Sequence, residues 1–408
     1  AHIMHAKRQI VIIGGGPGGY SAAFLAAESG LAVTVIDTED RPGGVCLYRG
    51  CIPAKALLHS VGLIHQGRNA GRFGVSFGEP AVDPAGIRRH MEEVIEKLTG
   101  ELGSLTKLRN IEYIRGRARF TGPHSIHVEH HEADPDAPKE IDFEHAIVAT
   151  GTRPDSLPYL GFDSPRVWSS DEALGLEEIP ERLLVVGAGY IGLELGYSYA
   201  SLGSRVTVAE VEEEIMPGAD RDIVSVFRDA VSPLFASFRT GTSVARAEEH
   251  AEGITVTFDE EHGGESTETF DAVLLTVGRK PNVEELGLEH TGVRLTDEGF
   301  IETNGQTRTN EPSVFAVSDV SGPPLLAHKA FYEGRLAADV IAGRDTAAVP
   351  KVIPVVEYTE PEIAWCGLTE NDARRENRSY ETVKYPWSAS GRAATIGAGE
   401  GLTKLLVE

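Results

Sequence analysis

Residues 10–37 read IVIIGGGPGGYSAAFLAAESGLAVTVID. An apolar run, Ile10 to Ile13, enters the glycines Gly14, Gly16 and Gly19; small residues follow at helical spacing, and a second apolar run ends on Asp37. Such a pattern needs glycine where the chain turns sharply, where a phosphate approaches the backbone, and where helix packs closely on strand. The helix N-terminus then offers unpaired N–H groups and the positive end of its dipole to the phosphates. A carboxylate ending the second strand is placed to accept hydrogen bonds from a ribose diol. The pattern is complete, so it reads as a dinucleotide-binding unit. The competing reading of Asp37 is a solvated strand-end carboxylate.

Residues 183–210, LLVVGAGYIGLELGYSYASLGSRVTVAE, repeat the unit without a gap: Gly14 falls on Gly187, Gly16 on Gly189, Gly19 on Gly192, Gly30 on Gly203 and Asp37 on Glu210. Two separate dinucleotide sites are therefore expected. Glu210 decides the second cofactor, because an acid there suits the two ribose hydroxyls of NAD whereas a 2′-phosphate would want Arg. Glu212, Glu213 and Glu214 follow it. Each like-charge pair with a phosphate would cost up to about 4 kcal/mol at ~4 Å and an effective dielectric of ~20.

Between the repeats, residues 43–58 read GGVCLYRGCIPAKALL and hold two of the three cysteines, Cys46 and Cys51. They are expected to open a helix, where the dipole stabilises a thiolate; Pro53 fits an early turn that needs no N–H from it. The bland reading is a buried pair of inert thiols. Cys366 lies in an apolar run without a basic neighbour and reads as core packing.

Bulk composition narrows the field. The 408 residues suit two to four domains at roughly 150 residues each. With 41% hydrophobic and 25% charged residues the chain reads as globular. A formal charge of -24 disfavours nucleic acid and anionic membrane as partners, and no apolar run reaches bilayer length. The opening AHIMHA reads as an added remnant, no export signal is seen, and so few cysteines point to a reducing compartment, the cytoplasm.

Along the chain, residues 52–110 read as helix-rich, IEYIRGRARF and HSIHVE as strands, and HHEADPDAPKE as a polar turn. The nearby His124, His127, His130 and His131 need no metal, and none is expected. AIVATGTRP, ending at Pro154, and AVLLTVGRKPN, ending at Asn282, each close an apolar strand and mark domain exits. SVFAVSDV reads as a buried strand ending on Asp319, and LLAHKAFYEGRLAADVIAG as an amphipathic helix. From Lys351 the pattern becomes α+β.

Taken in order, GGVCLYRGCIPAKALL, ATGTRP, GAGYIGLELG, VTVAEVEEEIMPGAD, LTVGRKPN, LLAHKA, EYTEPEIAWCGLTE and GRAATIGAGEGLTKLL resemble the pyridine nucleotide-disulfide oxidoreductases, over residues 7–408. The likeness is greatest to the branch that oxidises protein-bound dihydrolipoyl groups. It implies an α/β fold with two Rossmann-like domains: FAD-binding at 7–154, NAD-binding at 155–277, a central return at 278–349, and a partial α+β interface domain at 350–408. FAD would be held by Gly14, Gly16, Gly19, Asp37, Gly43, Gly44, Lys55, Ala118, Thr150, Gly151, Asp319 and Ala327. NAD would be held by Gly187, Gly189, Tyr190, Ile191, Gly192, Glu194, Glu210, Val244 and Gly278. Tyr190 reads equally as ordinary packing.

The resemblance makes Cys46 the interchange thiol, Cys51 the thiol against the flavin, and Lys55, paired with Glu194, the cation beside the reactive ring edge. The disulfide they form would relay electrons from a lipoyl-bearing protein, of a 2-oxoacid dehydrogenase complex or another lipoyl system, to NAD. Two departures stand out. Ser318 replaces a usual Gly, which implies a slightly altered backbone. The family's His-Pro acid/base segment has no counterpart: His59, His65, His90 and His328 do not match it. The expectation is therefore a C-terminally shortened chain, impaired in dithiol oxidation, from a protein that forms a homodimer at full length. The alternatives are a glutathione or mercuric reductase, or an assembly subunit that binds FAD and NAD without catalysis.

Overall fold

Side chains along Ile10–Ile13 alternate between two buried faces, as a strand covered on both sides requires. Ile10 and Ile12 pack with Ala22, Ala23, Ala26, Leu336 and Ala337, while Val11 and Ile13 pack with Ile36, Phe143, Leu286 and Ile301. The computed structural model describes residues 5–131, 138–260, 263–344, 346 and 352–407. The chain divides into two units, Ala1–Pro53 with Arg89–Pro154 and Arg279–Lys351, and Ala54–Arg88 with Asp155–Gly278 and Val352–Glu408.

In the first unit the central strand His5–Ile13 runs parallel to Val33–Asp37 on one side and Glu140–Val148 on the other. Glu112–Gly122 extends the sheet beyond Val33–Asp37, Val314–Ala316 extends it beyond Glu140–Val148, and Ser125–His130 joins antiparallel. The sheet strand after His5 thus includes part of the opening taken as a remnant. Helices Pro17–Glu28 and Ala327–Ile341 pack together closely: a Cβ on Gly334 would run into Gly18 O. Thr152–Pro154 and Arg279–Pro281, expected only as exits, pair antiparallel with each other.

The second unit repeats the plan. Parallel strands run in the order Ser237–Arg239, Arg205–Ala209, Arg182–Val186, Ala272–Leu275, Val167–Trp168. Thr242–His250, Gly253–Glu260 and Glu265–Phe270 form an antiparallel sheet. Beyond residue 352 come two hairpins, Val355–Glu357 with Ile363–Trp365 and Glu381–Pro386 with Leu402–Val407.

Several expectations need correction. Cys46 and Cys51 do not share a helix: Cys46 lies in Gly44–Arg49 and Cys51 begins Cys51–Asn69, with the chain broken at Gly50. Cys366 is exposed, because the hairpin strand before it ends at Trp365 and buries only alternate residues. The strand before Asp319 stops at Ala316, and Asp319 lies in the short helix Ser318–Ser321. The presumed polar turn after His131 falls largely outside the described residues. Among the described residues no group of His, Cys, Asp or Glu is arranged to hold a metal, and no helix is long and apolar enough to cross a membrane.

Candidate active site

The two glycine turns are built alike. Gly14 has φ +107° and Gly187 φ +101°, backbone that L side chains rarely adopt. A Cβ on Gly19 would strike Gly14 O, and one on Gly192 would strike Gly187 O; only glycine lets these helices start so close to their strands. The helices begin at Pro17 and Tyr190 behind Gly16 and Gly189, extended caps that supply no side-chain bond. No cap side chain competes with a phosphate for the N–H groups of these first turns. Ile191 sits half-buried in that first turn beside Tyr190.

Asp37 accepts the N–H of Gly15, and that of Glu39 at 2.9 Å. Burial raises its pKa, and those two backbone bonds act against the rise. Glu210 accepts the N–H of Ala188 at 2.6 Å and that of Glu212 at 3.0 Å, the same arrangement one repeat later. A cleft of about 920 Å³ opens beside it, lined by Glu212, Glu213, Glu214, Arg221, Ser243 and Asp259. Val244 is buried and its carbonyl accepts the Tyr159 hydroxyl; Gly278, with φ +156°, accepts from Asp155 N at 3.0 Å. These residues fit a dinucleotide by their uncapped helix ends and strand-end carboxylates, not by any bulky lining.

Asp319 accepts from Thr152 Oγ1 at 2.9 Å, and Arg279 Nε donates to that same hydroxyl at 2.7 Å. Thr150 and Asn282 exchange bonds, Thr150 Oγ1 to Asn282 O at 2.8 Å and Asn282 Nδ2 to Thr150 O at 2.9 Å, and Gly151 turns with φ +65°. Ala118 is buried and Ala327 opens its helix; His328 is exposed. Ser318 takes φ +75°, which explains why Gly would suit the position. Its backbone is gripped by Lys329 and Glu333, a buried pair 3.1 Å apart that the sequence pattern did not expose.

Around the thiols, Gly43 N donates to Gly15 O at 2.8 Å, and Gly44, with φ +59°, leaves no room for a Cβ against Gly16. The cysteine segment is thus tied to the first glycine turn. Cys46 and Cys51 are both half-buried. Tyr20 stands within electrostatic reach of both sulfurs; burial, then Cys46 and Cys51, raise its pKa. No sequence signal marked Tyr20.

Lys55 and Glu194 come together in the second unit, but through an intermediary. Lys55 Nζ lies 3.8 Å from the centroid of the Tyr358 ring, and Tyr358 N donates to Glu194 Oε1 at 3.1 Å. Burial raises the Glu194 pKa, while Lys55 and the Tyr358 N–H oppose it. A cavity of about 360 Å³ is lined by Lys55, His59, Tyr197, Tyr358, Thr359 and Glu360.

Residues 8–334 match the pyridine nucleotide-disulphide oxidoreductases and residues 353–408 the dimerisation domain of that name; the chain belongs to this family. Members use FAD and NAD(H). The chain is 43% identical to a dihydrolipoyl dehydrogenase of Vibrio parahaemolyticus, covering 98% of this chain and 84% of that one. It is 42% identical to a dihydrolipoyl dehydrogenase of Thermus scotoductus, covering 97% and 84%. Among solved structures, LpdA from Mycobacterium tuberculosis superposes with a TM-score of 0.88 at 26% identity, covering 99% and 87%. The HOCl-induced flavoprotein disulfide reductase RclA from Escherichia coli gives 0.83 at 26% identity, covering 98% and 86%.

Proposed function

We propose that the chain is an FAD-dependent dihydrolipoyl dehydrogenase that oxidises protein-bound dihydrolipoyl groups and reduces NAD. The observation that carries this reading is the tie between the cysteine segment and the first glycine turn, Gly43 N to Gly15 O at 2.8 Å. It ties the segment that carries Cys46 and Cys51 to a dinucleotide turn, which supports this reading. The names of the similar proteins support the dihydrolipoyl substrate.

FAD, when bound, supplies two-electron exchange between sulfur and nicotinamide. Gly14, Gly16, Gly19, Asp37, Gly43, Gly44, Ala118, Thr150, Gly151, Asp319 and Ala327 would hold it. Gly187, Gly189, Tyr190, Ile191, Gly192, Glu210, Val244 and Gly278 would hold NAD. A dihydrolipoyl thiolate would attack Cys46 in the Cys46–Cys51 disulfide, forming a mixed disulfide and releasing Cys51 as a thiolate. The second dihydrolipoyl thiolate would then displace Cys46 and close the lipoyl disulfide, leaving two electrons on the cysteine pair for transfer through FAD to NAD. Lys55, held by Tyr358 and supported by Glu194, would stabilise the negative charge. The acids after Glu210 select NAD over NADP. The protein would act as a homodimer in the cytoplasm on a lipoyl-bearing partner, such as that of a 2-oxoacid dehydrogenase complex.

The test is anaerobic reduction of the FAD-loaded protein by dihydrolipoamide, followed by addition of NAD. NADH should form with the wild type and fall at least about a hundredfold in Cys46→Ser, which cannot form the disulfide that the dithiol reduces. Undiminished turnover in Cys46→Ser would reject the role of the thiols.

A further inference from the structure

Glu357 is 0% exposed, and neither carboxyl oxygen has a hydrogen-bond partner among the described residues. It ends the strand Val355–Glu357, which packs against Tyr190–Ser201, the helix that carries Glu194. The paired strand Ile363–Trp365 brings no titratable side chain. The charges that act on Glu357 are those of Glu194 and Lys55. Its neighbour Tyr358 touches both, giving its ring to Lys55 and its N–H to Glu194. A lone Glu357 inside an apolar strand has no obvious packing value, since a buried carboxyl without partners destabilises the fold relative to an apolar side chain.

We propose that Glu357 is a positioning residue for the Lys55–Glu194 pair, the third member of a cluster whose total charge sets how much positive potential Lys55 presents. The inference rests on the reading of Lys55 as the cation of the electron-transfer step. A buried carboxylate without donors is far less stable than the acid, so Glu357 holds its proton at neutral pH. Burial pushes its pKa well up, Glu194 adds to the rise, and Lys55 opposes it. With Glu357 neutral the cluster holds one cation and one anion. When the proton passes to solvent in alkali, two anions face one cation, and Lys55 offers less to a site that gains negative charge on reduction.

Glu357→Gln keeps the shape of the acid but cannot ionise. The experiment compares it with the wild type, both loaded with FAD. Infrared spectra at neutral pH should show a protonated-carboxyl C=O band in the wild type that Glu357→Gln lacks. The midpoint potential of the bound flavin, followed from neutral to alkaline pH, should coincide in the two proteins at first. It should then fall more steeply in the wild type, adding an inflection absent from Glu357→Gln. No difference in the carboxyl band, or superimposed potential curves, overturns the proposal. Failure to bind FAD overturns the proposed function as well; reduction by NADH with superimposed curves overturns the role of Glu357 alone.

Discussion

Ser318 is held at both ends of its peptide by one helical pair: its N–H donates to Glu333 Oε2 at 2.8 Å, and its carbonyl accepts Lys329 Nζ at 2.9 Å. Lys329 and Glu333 lie one turn apart on Ala327–Ile341 and are both buried. Burial raises the Glu333 pKa, and Lys329 is the chief group opposing the rise. The grip keeps Ser318 in the left-handed region and turns the chain into Asp319.

Ser318→Gly should therefore stabilise the fold. The left-handed conformation costs a non-glycine residue about 1–2 kcal/mol, and glycine gives back about 0.5–1 kcal/mol through the extra entropy of its unfolded chain. A net gain of about 0.5–1 kcal/mol should appear as a higher urea midpoint at unchanged slope. A lower midpoint would show that the grip has relieved the strain already.

Glu210→Ala removes the acceptor of two backbone N–H groups, Ala188 and Glu212, and of the proposed ribose contacts. Charge-assisted bonds contribute about 1.5–3 kcal/mol each, so the KM for NADH should rise at least about tenfold, with kcat changed less. The ratio of NADH to NADPH turnover should fall. Steady-state kinetics with both nucleotides decide it, and an unchanged KM would remove Glu210 from nucleotide selection.

The paired glycine turns were legible because geometry leaves them little choice: where a Cβ would enter a carbonyl, the sequence must say Gly, and it says so twice at one spacing. The Lys329–Glu333 pair was not legible, since Lys and Glu four apart ordinarily mark a solvated helix face. The bond from Tyr358 to Glu194 escaped because a backbone N–H carries no residue identity. In the hairpin the text misled outright: Cys366 reads as buried and is exposed, and nothing in the sequence singles out Glu357, which is fully enclosed. The break at Gly50 separates the two cysteines that the sequence reading places together at a helix start.

Lys404, with its side chain 5% exposed, lies 2.5 Å from Glu370, 2.9 Å from Asp222 and 3.0 Å from Asp220. The Lys404 bond holds the Glu370 carboxyl below its usual range. Burial works against ionisation of Asp222, but Lys384 and Lys404 outweigh it and its pKa also falls. Lys404→Met should destabilise by about 1.5–3 kcal/mol through lost charge-assisted hydrogen bonds, because Asp222 keeps Lys384 and Glu370 keeps Arg374 as partners. Depressed carboxylate pKa values contribute stability above the unfolded-state value, about 4, and lose it as pH falls through the folded value. The gap between wild type and Lys404→Met should therefore narrow below about pH 4. Denaturant titrations at neutral and acid pH test this, and a gap that widens in acid would contradict it.

Glu357→Leu should behave in the opposite sense. A carboxyl whose pKa is raised by folding, as burial raises that of Glu357, binds more protons in the native state than in the unfolded one. Its stability contribution is complete below the unfolded value of about 4.3 and declines as pH rises, by up to about 1.4 kcal/mol per pH unit, until the folded pKa is passed. Leucine has no such decline and fills the enclosed site without an unpartnered polar group. The variant's advantage in melting temperature over the wild type should thus be small near pH 4 and grow steadily toward neutrality. Other titrating groups contribute to both proteins and cancel in the difference. An advantage that stayed constant across this range would mean that Glu357 is ionised in the folded chain, and that a donor compensates its charge.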